Sequence, residues 1–263
     1  MKFRAIAFLL VAVFSSAILS AQTVSVKKLT HIPKLTRGIS FPYKGSLYSI
    51  YGNGALYKID LSTGNYAQLG TTLFANAKFL FALNNHLFII EKDGSMSQVD
   101  PNDGAWRVVS PIGTWSTIEN VLVVGNNFYT IENGALYQNQ GMSDRGRKQI
   151  GGGDFFELGI VVYTDTSLYS IVSGVLYQIN TYTGKWTKIG SGKNYKGARS
   201  AGFMNNKIYT LETPAVLFET SLADAAKKQV DDTHFTNNRG MFSHGNKLYF
   251  YNSDDDLCEI VFE

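Results

Sequence analysis

Glu119 and Glu132 come nearest to chemistry in this chain, because the hairpin register of the sequence sets them opposite each other on paired strands. Like charges directly opposite are destabilising. Such a pair calls for a cation, a shared proton or a neighbouring base, and Lys78, one repeat earlier, could supply the base. If their pKa values were split, the two carboxyls would serve as acid and base. Directly paired strand residues sit near the short end of the ~5–9.5 Å that separates glycosidase carboxyl groups. The same register pairs Lys78 with Glu91, Arg199 with Glu212 and Arg239 with Asn252, and Gly38–Tyr51 and Gly159–Val172 complete the set. The functional reading is a polar-ligand or metal site. The plainer one, preferred on this pattern, is a solvated charge ring that balances itself, since structural ion-pair networks imitate sites.

A second recurrence is aromatic. Lys34, Phe74, Trp115, Phe155, Tyr195 and Phe235 stand at one repeat position, so aromatics fill all but the first unit. Periodic aromatics ordinarily wedge neighbouring repeats together, which is the preferred reading. The alternative is a set of ring faces suited to sugars or aromatic ligands, with Trp115, close to Glu119 in sequence, the best of them.

These positions are fixed by a repeated phrase. LYSIYGNGALYKIDLSTGNYAQLG starts at Leu47, and related phrases start at Leu87, Phe128, Leu168, Ile208 and Leu248, spaced 40, 41, 40, 40 and 40 residues apart. A fixed period of this size marks a repeat architecture. Before each LY-type pair lies an apolar segment, and between them a turn such as Asn84-Asn85 or Asn205-Asn206, whose residues tolerate the positive φ of a two-residue hairpin. Gly54, Gly94, Gly134 or Gly174 then turns the chain into a third strand, and a polar turn such as Asp60–Gly64 leads to a fourth. Four antiparallel strands per repeat form a propeller blade. Six units fill residues 22–263, the last lacking its fourth strand. The segment Val26–Thr30 is spaced to supply it and close the ring. Closure would pair two otherwise free edges.

The LYxI…LYxID…TGxWxxIG pattern resembles extracytoplasmic six-bladed β-propellers of the YWTD/NHL-like group. That resemblance covers residues 22–263 and implies an all-β architecture, with ligands commonly bound on the face around the central channel. No intact YWTD, NHL, kelch or WD signature is present, so no functional family follows, and fold alone does not give function.

The remaining features bound the setting. Lys2 and Arg4, the apolar run Ala5–Phe14 and the small residues Ser15–Ala21 read as a secretory signal peptide over residues 1–21, cleaved before Gln22. Its apolar run is short of the ~20 residues of a spanning helix, and no later stretch could cross a membrane. Net charge is +3, too small to imply nucleic acid. The single Cys258 cannot form an internal disulfide and reads as a buried thiol. His31, His86, His234 and His244 lack metal spacing. Asp254–Asp256 lacks the glycine and spacing of a calcium loop. Gly151–Gly153 precedes no helix, and Arg145-Gly-Arg147 reads as a surface turn.

The expectation is a monomeric, exported protein, periplasmic or extracellular, without cofactor or metal. It would bind a glycan or a protein non-catalytically through the channel mouth, using Lys78, Trp115, Glu119, Glu132, Arg199 and Arg239. The alternatives are a hydrolase or lyase acting on a polysaccharide or lactone through Glu119 and Glu132, and a structural partner in an envelope complex.

Overall fold

A computed structural model describes residues 23–35, 38–142, 146–164, 166–233 and 235–263. The expected signal peptide and His234 lie outside the described residues. The chain opens with β1 (Val24–His31). Blade one follows as β2 (Ile39–Tyr43), β3 (Ser46–Ile50), β4 (Ala55–Asp60) and β5 (Tyr66–Leu73). Blade two is β6 (Ala77–Leu83), β7 (His86–Glu91), β8 (Met96–Val99) and β9 (Trp106–Ser110). Blade three is β10 (Ile118–Val124), β11 (Asn127–Glu132), β12 (Ala135–Asn139) and β13 (Lys148–Gln149). Blade four is β14 (Ile160–Tyr163), β15 (Leu168–Val172), β16 (Val175–Ile179) and β17 (Trp186–Ile189). Blade five is β18 (Ala198–Met204), β19 (Lys207–Glu212), β20 (Val216–Ser221) and β21 (Lys227–Asp231). Blade six is β22 (Asn238–His244), β23 (Lys247–Asn252) and β24 (Asp256–Phe262).

The result is six four-stranded antiparallel sheets, a six-bladed β-propeller. β1 pairs with β24 and completes the sixth sheet, from Val24 opposite Phe262 to His31 opposite Asp256. The ring is therefore closed by the segment the spacing pointed to. Leu222–Val230, which has a trace of helical spacing, is a turn running into β21. A short 3-10 turn, Gly153–Glu157, precedes blade four.

The core is divided among the junctions between blades. Among the described residues six clusters of buried residues are present, each joining two neighbours: Leu56 and Phe74 with Leu87 between blades one and two, for example, and Leu257 and Tyr249 with Leu47 between six and one. Strand alternation drives this, since each blade has two apolar faces and must bury both.

The recurrent aromatics latch these junctions. The Trp115 backbone N–H donates to the Gly94 carbonyl of blade two (2.9 Å), while its ring meets Phe128 of blade three edge-on at 5.5 Å. Tyr195 likewise donates its N–H to Gly174 of blade four and its hydroxyl to Thr220 of blade five. Where blade one has Lys34 instead, Ile32 and Leu35 fill the junction.

A second latch uses glycine. Gly64, Gly104 and Gly184 end the polar turns at φ 77°, 78° and 68°. A Cβ there would lie 2.3 Å from the Leu29 carbonyl oxygen, 2.7 Å from the Gly70 nitrogen and 2.5 Å from the Gly151 Cα, all on the preceding blade. Both the backbone conformation and the close approach require glycine.

Candidate binding face at the channel mouth

The register at the mouth departs from the sequence expectation by one residue. Glu132 pairs with Ile118 rather than Glu119, and the ladder resumes at Asn120–Ile131, so Glu119 is the extra residue of a β-bulge. Lys78, Arg199 and Arg239 occupy the same bulge in blades two, five and six. The facing pairs Lys78–Glu91, Glu119–Glu132, Arg199–Glu212 and Arg239–Asn252 are therefore not formed.

Glycine explains which blades bulge. In blades one and four the ladder carries no shift up to Ile39–Ile50 and Ile160–Ile171, next to Gly38 and Gly159. A Cβ on Gly38 would sit 2.7 Å from the Ile50 oxygen, and one on Gly159 2.1 Å from the Ile171 oxygen. A side chain at this position cannot follow the regular ladder, so a bulge takes it out of line and re-aims it. The four charged residues thus share one structural position at the start of the innermost strands.

Their partners are few. Lys78 is half-buried and donates from Nζ to the Ile118 carbonyl at 2.5 Å. Glu119 is exposed and accepts the Gly134 N–H at 3.3 Å. Arg199 is exposed and donates from Nε to Thr213 Oγ1 at 2.8 Å. Arg239 is exposed and has no hydrogen-bond or ion-pair partner among the described residues.

The acidic residues beneath them are engaged internally. Glu132 is buried, ion-paired with Arg147, and accepts the hydroxyls of Thr117 and Thr130 at 3.2 and 3.3 Å. Glu212 is buried against Lys227 Nζ at 2.7 Å and accepts the Thr210 hydroxyl at 2.8 Å. Arg147 lies 5.6 Å from both the Trp115 and Tyr137 ring centres, and Lys227 lies 4.8 and 4.2 Å from those of Tyr195 and Phe218. Each cation is held by a carboxylate and two ring faces. Glu91 of blade two is half-buried with no ion pair among the described residues, and burial, then Asp93, push its carboxyl above the usual range.

Trp115 is fully buried. Phe74, Phe155, Tyr195 and Phe235 are buried too, so none presents a ring face to a ligand at the mouth. Their role is the inter-blade one. Glu132, enclosed by Arg147 and two hydroxyls, is likewise not a free partner for Glu119.

Below the mouth, Phe41 of blade one stacks on Tyr163 of blade four, their centroids 6.3 Å apart and rings inclined by 15°. Blades one and four face each other across the axis, so this pair spans the channel.

No protein-family model matches the chain, and no curated protein matches it in sequence. Solved structures do match in shape. The luciferin-regenerating enzyme is 11% identical with a TM-score of 0.61, covering 91% of this chain and 95% of that one. Virginiamycin B lyase from Staphylococcus aureus is 9% identical, TM-score 0.56, over 91% and 99%. PorZ, an essential bacterial surface component of the type-IX secretion system of Porphyromonas gingivalis, is 12% identical, TM-score 0.53, over 88% of this chain and 37% of that one. Similarity at this level establishes the fold. The chain is a six-bladed β-propeller.

Sequence reasoning missed Arg147, Lys227 and the Phe41–Tyr163 pair. The first two carried a signal: Glu132 and Glu212 are 80 residues apart, as are Arg147 and Lys227, two repeats in each case. No helix among the described residues is long and apolar enough to cross a membrane.

Proposed function

We propose that this propeller is an exported, monomeric, non-catalytic binding module that recognises a protein through its channel-mouth face. The observation that carries the reading is the set of four charged residues, Lys78, Glu119, Arg199 and Arg239, at one bulged position around the mouth. Bulges cost ladder hydrogen bonds and concentrate where a side chain must be re-aimed. Charged side chains at a rim give orientation and association rate. The burial of Trp115 and its equivalents weighs against a glycan, which would want exposed rings. The ion pairing of Glu132 with Arg147 weighs against Glu119 and Glu132 as an acid/base pair. Among structures of like shape, PorZ is a surface component of a secretion system and two others are enzymes, so the likeness itself favours no role. Export rests on the basic, apolar and small-residue segments over residues 1–21.

The test is site-specific photo-cross-linking in the native host. A photoreactive residue at position 239 should trap one discrete partner protein, and the same residue at Lys188 on the outer edge should not. Equal trapping at both positions, or none at 239, would overturn the mouth as the binding face. N-terminal sequencing of the protein outside the cytoplasm should begin at Gln22.

A further inference from the structure

We infer that the channel mouth is an oxyanion-binding surface whose partner presents carboxylates, an acidic segment of another protein. This rests on the binding face proposed above and names its ligand class. Arg199 and Arg239 stand at the same bulged position of neighbouring innermost strands, β18 and β22. Those strands are packed against each other: the Phe203 N–H donates to Ser243 Oγ at 3.1 Å, and a Cβ on Gly202 would lie 3.4 Å from the Phe242 backbone carbon. Two guanidinium groups are thus rooted side by side with no carboxylate assigned to either. Arg199 uses only Nε, on the neutral Thr213 hydroxyl, and Arg239 uses nothing.

The carboxylates that could have answered them are occupied. Glu212, which the sequence set opposite Arg199, is buried against Lys227 instead. Glu132 is taken by Arg147, and blade six offers Asn252 at the corresponding place. Lys78 adds a third cation, which donates to a backbone carbonyl and lies 5.3 Å from the Phe79 ring centre, with no carboxylate partner among the described residues. Glu119 is the single acidic residue at the bulged position, and its Oε2 already accepts a backbone N–H. The fold has therefore neutralised Glu132 and Glu212 with interior cations, while Arg199 and Arg239 at the rim have no carboxylate partner among the described residues.

Beside Arg199, the Ser200 hydroxyl is buried without a hydrogen-bond partner, a polar atom idle at the same junction. A guanidinium fork matches a carboxylate in two parallel hydrogen bonds. Gly38 and Gly159 put no side chain at this position in blades one and four, which clears the rim beside the cations. The Phe41–Tyr163 stack lies across the channel below, so the ligand is held at the rim rather than threaded. Recognition without exposed rings at these positions suits acidic side chains better than sugar faces.

The experiment measures binding of the purified protein to poly-L-glutamate, with polygalacturonate and neutral dextran beside it. Arg199→Gln/Arg239→Gln is compared with Lys188→Gln/Lys228→Gln, which removes the same charge from the outer edges. Polyglutamate should bind, weaken about tenfold or more in the mouth variant, weaken little in the edge variant, and dissociate as salt rises. Unchanged melting temperatures in both variants would confirm that folding is intact. No binding of polyglutamate, equal loss in both variants, or binding of polygalacturonate alone would overturn the inference. If cross-linking at position 239 traps a partner while polyglutamate fails to bind, the face stands and the acidic class falls. If neither occurs, both fall.

Discussion

Glu132 and Glu212 occupy the same place in blades three and five, and each is buried against a cation near the start of the outermost strand of its own blade, Arg147 one residue before β13 and Lys227 the first of β21. The place of that cation is filled differently elsewhere. Tyr66, Trp106 and Trp186 open the outermost strands of blades one, two and four, opposite Ile59, Val99 and Ile179. Lys227 opens the strand of blade five opposite Thr220. Asn139 of blade three is buried and polar, with Nδ2 donating to Thr130 Oγ1 at 3.2 Å. The place of the cation is thus filled in two ways, by an aromatic residue in blades one, two and four and by Arg147 or Lys227 in three and five.

Breaking one partner of an ionic blade should cost far more than replacing both. Lys227→Met leaves Glu212 buried without its cation and should destabilise by about 3–5 kcal/mol. Glu212→Val with Lys227→Trp, which copies Val172 and Trp186 of blade four, should restore most of that loss. Chemical denaturation of the two variants checks this; an equal loss in both would mean that the ionic arrangement is not interchangeable with the apolar one.

The Gly159 position tests the origin of the bulges. Gly159→Ala brings a Cβ to 2.1 Å from the Ile171 oxygen, and overpacking of this kind costs about 1–3 kcal/mol. Gly153→Ala has open space around its Cβ and should shift stability by less than about 0.5 kcal/mol. Thermal melts of the pair give the comparison.

The Phe41–Tyr163 stack predicts energetic coupling between two blades that are not neighbours. In a double-mutant cycle with Phe41→Leu and Tyr163→Leu, the coupling should be about 0.5–1.5 kcal/mol. A coupling near zero would mean that the rings share the channel without holding it together.

His244 gives a pH signature. Its Nε2 accepts the Gly45 N–H at 2.7 Å, and burial holds its pKa below the usual 6.5. The unfolded chain therefore binds the proton first as pH falls, so the histidine's contribution is full above about 6.5 and declines below it. The melting temperature of the native protein should fall more between pH 7.5 and 5.5 than that of His244→Gln. An identical pH response would show that the ring does not resist protonation.

Cys258 is buried, and burial pushes its thiol up to about 11. A thiol reagent at pH 8 should leave the native protein unlabelled and react once it is denatured. Rapid native labelling would contradict the packing of β24.

Strand order, blade number and closure were legible because they follow from a period, a two-residue alternation and the need to pair free edges. The register at the mouth was not. A bulge is set by whether a Cβ fits beneath the carbonyl across the ladder, and Gly38 and Gly159 reveal it only once that distance is known. The aromatic latches were readable as a periodicity, but whether Trp115 faces a ligand or the next blade depends on where its backbone is anchored, at Gly94. Arg147 looked like part of a surface turn because its partner, Glu132, is two strands away in the sheet. The Phe41–Tyr163 contact joins units half a ring apart, where a repeat predicts equivalence and not touch.

β1 runs antiparallel to β24, with Val24 opposite Phe262 and the Glu263 N–H donating to the Thr23 carbonyl at 3.0 Å. Thr23 and Glu263 therefore lie at the same end of the closing ladder. Tension applied between them would load its rungs one after another, as a zipper is drawn, and not all together in shear. The joint that completes the circle is for that reason its mechanically weak seam, and a single-molecule pull on residues 23 and 263 should open it at low force while the other blades still hold.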